Sequence, residues 1–155
     1  MYLTADFVSC NDMAKMKAKM PDELIAKLSR LGNRTDEVCE TALKAGAEVA
    51  EKAISSNLSS VVGRNTKHPS QSTGQLEKAL GVSPVKVDGK GNYDIKVGFN
   101  EPRTNGESNA KIANILEYGK SNQPPKPFLK PAKSKSRKDI INTMKDTLEK
   151  EMENT

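Results

Sequence analysis

A chain of 155 residues with 35% hydrophobic residues, no Trp, three Phe and three Tyr suits one domain with a small, mainly aliphatic core. Its formal charge of +5 is mildly basic, and no apolar run is long enough to cross a bilayer as a helix, so no membrane partner is expected. Cys10 and Cys39 lack metal-ligand spacing, and residues 1–20 do not read as a secretory signal, so both thiols are expected reduced in a cytosolic setting.

Residues 1–20 read as an N-terminal extension or arm, and residues 21–155 as a single α+β domain. Within the arm, Tyr2, Leu3, Phe7 and Val8 fit a short strand or a docking segment, while Met13, Met16 and Met20 fall at helical spacing. Methionines so placed are usually packing residues, so a weak amphipathic helix is expected there. Pro21 opens a helix with Asp22 and Glu23 in its first turn and Leu24, Ile25, Leu28 and Leu31 as its apolar stripe. Gly32 ends it. Thr35 is placed as the N-cap of a second helix, with Asp36 and Glu37 in the first turn. That helix is predicted over about Asp36–Ser56, presenting Val38, Leu43, Ala47, Ala50 and Ile54. Its small residues Ala42, Ala45, Gly46 and Ala53 permit close approach by another element.

Residues 57–75 are rich in Ser, Asn, Gly and Thr and read as a long loop. It holds His68, the only histidine, which has no neighbouring Cys or second His to form a metal site or a triad. Thr73-Gly74-Gln75-Leu76 closes the loop and leads through Leu80 towards a first strand marked by Val82, Val85 and Val87. Asp88-Gly89-Lys90-Gly91-Asn92 is a hairpin turn of the Asp-Gly kind. Tyr93, Ile95, Val97 and Phe99 alternate with Asp94, Lys96 and Gly98, the pattern of a half-buried antiparallel strand, whose apolar face is expected to receive the alanine-rich helix. Residues 100–108 form a polar loop, with Asn109 as a cap for the helix that follows.

The segment from Lys111 to Ala132 has the most specific order of residues in the chain. Ile112, Ile115 and Leu116 share a helical face, and Gly119 stands where a left-handed cap is expected. Pro124, Pro125 and Pro127 bar helix and central strand, Phe128 and Leu129 are the bulky apolar pair of that run, and Pro131 suits the first turn of a last helix. In that helix Ile140, Met144, Leu148 and Met152 recur every fourth residue beside Ile141, a narrow stripe fit to lie on the sheet or between subunits. The predicted fold class is therefore α+β: a small antiparallel, hairpin-based sheet packed with a long N-terminal helix pair, a short helix and a C-terminal helix.

No phosphate-cradling glycine loop, HExxH, CxxC, GxSxG or paired-carboxylate cluster is present, so no catalytic, cofactor-binding or metal site is assigned. Charge is unevenly spread. Lys120, Lys126, Lys130, Lys133, Lys135, Arg137 and Lys138 follow Tyr118 without an intervening acid, whereas Asp139, Asp146, Glu149, Glu151 and Glu153 dominate what comes after. The seven cations are either a solvated surface or a patch for a polar partner. A basic nucleic-acid-binding protein using Lys120–Lys138 is the alternative function. Against it, the cations are not regularly interleaved with aromatic residues, Phe128 being the one aromatic among them, as a single-strand binder would want.

Four motifs in order, Thr73-Gly74-Gln75-Leu76, then Val97-Gly98-Phe99, then Leu116-Glu117-Tyr118-Gly119, then Lys126-Pro127-Phe128-Leu129-Lys130-Pro131-Ala132, resemble the neck family of lambdoid long-tailed bacteriophages and prophages. These are head–tail joining or tail-completion minor tail components, whose members look like TG-x-L, V-G, L-E-[FY]-G-T and R-P-F-L-R-P-A. The resemblance covers roughly residues 21 to 150. Lys120 stands where the family usually has Thr, and Lys126 and Lys130 where arginines are common, which keeps the charge and loses the bidentate fork. The resemblance implies a non-enzymatic virion protein without cofactor, assembled in the host bacterial cytoplasm. It implies a homo-oligomeric ring, a hexamer or dodecamer, between the head connector and the tail tube or terminator proteins, with DNA passing through unspecifically. The assembly residues it marks are Glu117, Tyr118, Gly119, Pro127, Phe128, Leu129 and Pro131. Phe128 and Leu129 are expected to anchor a proline-ruled arm, either in the chain's own core or on a neighbour, and Glu117 to hold a backbone donor or a lysine near the turn.

Overall fold

The computed structural model describes residues 2–7, 14–19, 32–64, 72–101 and 106–153, and of residues 2–7, 14–19 and Asn33 the backbone alone. The predicted helix from Pro21 to Leu31 and the position of His68 lie outside the described residues. Around one long helix, α1 (Thr35–Val61), the other elements are arranged on two sides. Strands β1 (Tyr2–Phe7), β2 (Ala14–Lys19), β3 (Leu80–Val82), β4 (Lys86–Val87) and β5 (Tyr93–Phe99) form one sheet. The helices α2 (Gln75–Ala79), α3 (Asn109–Tyr118) and α4 (Leu129–Glu153) complete the α+β domain.

The alternation read in the sequence is the alternation seen. Tyr93, Ile95 and Val97 of β5 are buried, with Val38, Cys39 and the rest of the α1 stripe in the same core. β3 and β4 pair with β5 antiparallel. The single strand expected through Val82, Val85 and Val87 is broken at Ser83-Pro84-Val85, because Pro84 cannot donate to the ladder. At the hairpin the left-handed residue is Gly91, φ 77°, not the glycine beside Asp88. The Asp88 carboxylate accepts from the Lys90 and Asn92 amides at 2.8 and 2.9 Å. The Asn92 side chain, and then those amides, hold the Asp88 carboxyl below the ordinary carboxylate range.

β1 lies parallel to β5, Leu3 opposite Tyr93 and Phe7 opposite Val97, and pairs antiparallel with β2. The N-terminal segment thus adds two strands, one of them parallel, to the antiparallel hairpin. The helix expected through Met13, Met16 and Met20 is instead β2 over Ala14–Lys19. Lys15, Lys17 and Lys19 alternate there with Met16 and Ala18, a period of two that the methionine spacing obscures.

α1 runs five residues beyond the predicted Ser56, to Val61. Leu58 completes a stripe of Val38, Cys39, Ala42, Leu43, Ala47, Ala50 and Ile54, so packing overrides the weak helix propensity of the serines. The Thr35 hydroxyl donates to the Gly32 carbonyl at 2.8 Å and the cap position is Arg34, without a side-chain cap bond. Thr35 therefore closes the preceding 3₁₀ turn, Gly32–Arg34, rather than capping the helix. α4 packs along α1 with Ala132, Ser136, Ile140, Met144 and Leu148, every fourth residue, buried. Gly46 is the close-approach point: a β-carbon there would lie 2.6 Å from Cγ and 2.8 Å from Sδ of Met144. Because Gly46 meets Ile140 and Met144 while Asn57 meets Phe128, the two helices are antiparallel.

Candidate functional site

The join between α3 and α4 contains the residues that the motif reading singled out, and one carboxylate organises it. α3 starts at Asn109, and Ser108 is its cap, accepting from the Lys111 amide at 3.1 Å. Asn109, the expected cap, is instead buried, donating through Nδ2 to the Asn100 carbonyl at 2.7 Å. A cap must precede the first helical residue, and Ser108 does. Glu101 reinforces the start, its Oε1 accepting from the Ser108 hydroxyl and the Ala110 amide at 2.8 and 2.7 Å.

At the other end of α3, Glu117 is 5% exposed. Its Oε2 accepts from the amides of Phe128 and Leu129 at 2.7 and 2.8 Å, and its Oε1 from the amide of Lys130 at 3.0 Å. These are the amides that the start of α4 would otherwise leave without partners. Pro131 has no amide to satisfy, and the Ala132 amide donates to the Phe128 carbonyl at 3.2 Å. Every backbone donor from Phe128 to Ala132 is thereby accounted for. α4 has no acidic residue in its first turn, so Glu117 supplies the negative charge that the positive helix end favours. Of the two expectations for Glu117, the backbone donor is the one observed.

Gly119 has φ 78° and ψ −179°. That is not the left-handed helical cap expected but an extended mirror-image conformation that only glycine adopts readily. A β-carbon there would meet the Gln123 carbonyl oxygen at 2.7 Å and the Pro125 nitrogen at 2.8 Å. Lys120 and Gln123 then exchange two backbone bonds of 2.9 Å around a tight turn. The Lys126 amide donates to the Leu116 carbonyl at 2.7 Å, and the Lys126 ammonium donates to the Arg64 carbonyl at the far end of α1. Phe128 is fully buried, its ring edge-on to that of Phe99 with centroids 6.2 Å apart, and its carbonyl accepts from Asn57 at 3.2 Å.

The predicted assembly residues thus divide. Glu117, Gly119 and Phe128 are consumed by the chain's own join, and Leu129 and Pro131 are half-buried in the first turn of α4. Tyr118, 68% exposed, faces outward with Pro124, Pro125 and Pro127. Of the cations, Lys120, Lys130, Lys135, Arg137 and Lys138 are exposed, and Lys126 and Lys133 half-buried. Asn57 and Phe99 also belong to the join; the motif reading names Phe99 only within Val97-Gly98-Phe99 and does not find Asn57. Asn57 stands in a serine-rich stretch with no signal of its partner, whereas Phe99 carries one, as the last apolar residue of an alternating strand. Burial, then the Asp36 carboxylate, pushes the Cys39 thiol up to about 11, which leaves it protonated and unreactive at neutral pH. Among the described residues no group of three or more His, Cys, Asp or Glu could hold a metal ion, and no helix is long and apolar enough to cross a membrane.

Compared with known families, residues 22–119 match the model described as "Bacteriophage HK97-gp10, putative tail-component". No curated protein and no solved structure matches the chain.

Proposed function

The chain belongs to the HK97-gp10-like family of bacteriophage tail components, and we propose that it is a structural, non-catalytic virion protein forming a homo-oligomeric ring where the head connector meets the tail. The observation that carries this reading is the family match across residues 22–119. The locked join supports it. A ring subunit must present the same surface at every position, and here three amides on one carboxylate, a glycine-only turn and a run of prolines hold the segment between α3 and α4 in one path. Its outward residues, Tyr118, Lys120, Pro124, Pro125 and Pro127, are pre-ordered for contact, which lowers the ordering cost of association. In this reading Tyr118 and Pro127 meet neighbours, while Glu117, Gly119 and Phe128 act from inside. DNA passes through the ring without specific contacts.

Two measurements test the proposal. Negative-stain imaging of the purified chain should show closed rings. In a phage that encodes it, interrupting the reading frame should leave filled heads and separate tails. Normally tailed, infectious particles made without the protein would refute the joining role.

A further inference from the structure

The antiparallel pairing of α1 and α4 sorts charge to opposite ends of the molecule. At one end lie Lys130, Lys133, Lys135, Arg137 and Lys138, five cations in the first ten residues of α4 with no acid among them. None of the five has an ion-pair partner among the described residues. At the other end the last turns of α4, where Asp146, Glu149, Glu151 and Glu153 outnumber Lys145 and Lys150, come beside the first turns of α1, where Asp36 stands with Glu37 and Glu40, themselves paired with Arg34 at 4.0 Å and Lys44 at 2.8 Å. The register set by Gly46 against Met144 places them there.

This order runs against the physics of an isolated helix. Lys130 in the first turn of α4, and Glu151 and Glu153 in its last, oppose the helix dipole. Lys130 with Lys133, Lys133 with Arg137, and Lys135 with Lys138 are like-charge neighbours at three- and four-residue spacing, each unfavourable to the helix. Lys135 with Asp139, Lys145 with Glu149 and Asp146 with Lys150 are opposite-charge neighbours at four-residue spacing that offset part of this within the monomer, and an oppositely charged partner relieves the rest. Ser134, Arg137, Lys138, Ile141 and Asn142 line a shallow depression on the cationic side, which offers a half-buried apolar centre inside a charged rim.

We propose that the cationic first half of α4 docks head-to-tail on the acidic end of the α1–α4 pair of a second copy. The occupant is argued from charge: the surface that complements the cationic end is present on the same chain, so translated copies satisfy one another. Such a heterologous contact closes into a ring when its rotation permits, and opposite potentials set its register and speed the encounter. The identity of the occupant rests on the ring reading above, while the charge order stands without it.

The test uses the full chain and two charge-reversal variants. One carries Lys133→Glu, Lys135→Glu, Arg137→Glu and Lys138→Glu, and the other Asp146→Lys, Glu149→Lys and Glu153→Lys. Six of the seven positions are exposed and Lys133 is half-buried, so both variants should keep a melting temperature close to that of the wild type. In sedimentation velocity, the wild-type chain should self-associate at low salt and weaken at least ~10-fold at high salt, as charge pairing requires. Each variant alone should stay monomeric, and an equal mixture of the two should associate again, because each then offers the end the other lacks. Variants that assemble like the wild type, or a mixture that fails to recover, overturn the docking mode, while rings formed by those same variants would leave the ring reading standing. A wild-type chain that stays monomeric at low salt also overturns the docking mode. If that monomer instead retains duplex DNA in a salt-dependent way, the cationic half faces nucleic acid.

Discussion

Glu117→Gln is the sharpest probe of the join. The amide keeps one acceptor oxygen, which can still serve the Phe128 and Leu129 amides now held at 2.7 and 2.8 Å. Its NH2 group then faces the Lys130 amide, now 3.0 Å from the other oxygen, donor against donor. One amide left unpaired in a site 5% exposed costs about 1–3 kcal/mol. Losing the negative charge at the start of α4 costs about a further 1 kcal/mol. The sum, about 2–4 kcal/mol, is a large part of a typical domain's stability of about 5–15 kcal/mol. Urea unfolding followed by far-ultraviolet circular dichroism should show the midpoint falling by about 1–2 M at an unchanged slope of about 2 kcal/mol/M. Glu149→Gln, on the exposed side of α4, should stay within about 0.5 kcal/mol of the parent. A loss for Glu117→Gln no larger than that control would refute the claim that this carboxylate holds the helix start.

Gly119→Ala should cost more than about 3 kcal/mol, because the added carbon meets backbone atoms at 2.7 and 2.8 Å in a conformation alanine avoids; a thermal melt within a degree or two of wild type would contradict it. Phe128→Ala should lose about 3–5 kcal/mol of monomer stability, since the ring is fully buried; undisturbed stability with lost assembly would mark it as an interface residue instead. Gly46→Ala should cost about 1–3 kcal/mol by overpacking, and Met144→Ala in the same chain should recover part of that loss, because the clash is with the Met144 side chain. On the alkaline side, burial and then Asp36 raise Cys39 to about 11 and Tyr93 to about 12. A raised folded-state value means stability that is complete below the unfolded value and lost as pH rises through the folded one. Stability should therefore decline from about pH 9 and more steeply above about pH 10, and Cys39→Ala should remove the earlier part of the decline in pH-dependent melts.

The strand β5 and the stripe of α1 are legible in the sequence because each keeps a single period of apolar residues along its length. The four-residue spacing of Ile140, Met144 and Leu148 announces α4, but only the structure shows that its partner is Gly46 and the rest of α1. A narrow stripe states how much must be covered, not by what. In the join, Gly119 and the prolines can be read as fixed turns from their chemistry alone. The role of Glu117 cannot, since its partners are amides eleven to thirteen residues away, and an amide carries no sequence signature. The segment around β2 reads as a helix in the sequence because Met16 and the flanking Met13 and Met20 happen to recur at a helical interval.

The contact between Gly46 and Met144 also orders events during synthesis. α1 is made early, yet the part of its apolar stripe that meets α4 stays uncovered until residues 129–153 have followed. Closing so long a loop slows folding. A chain halted before α4 therefore carries an exposed stripe and lacks the amides that Glu117 holds, which marks it for degradation rather than for incorporation among complete copies.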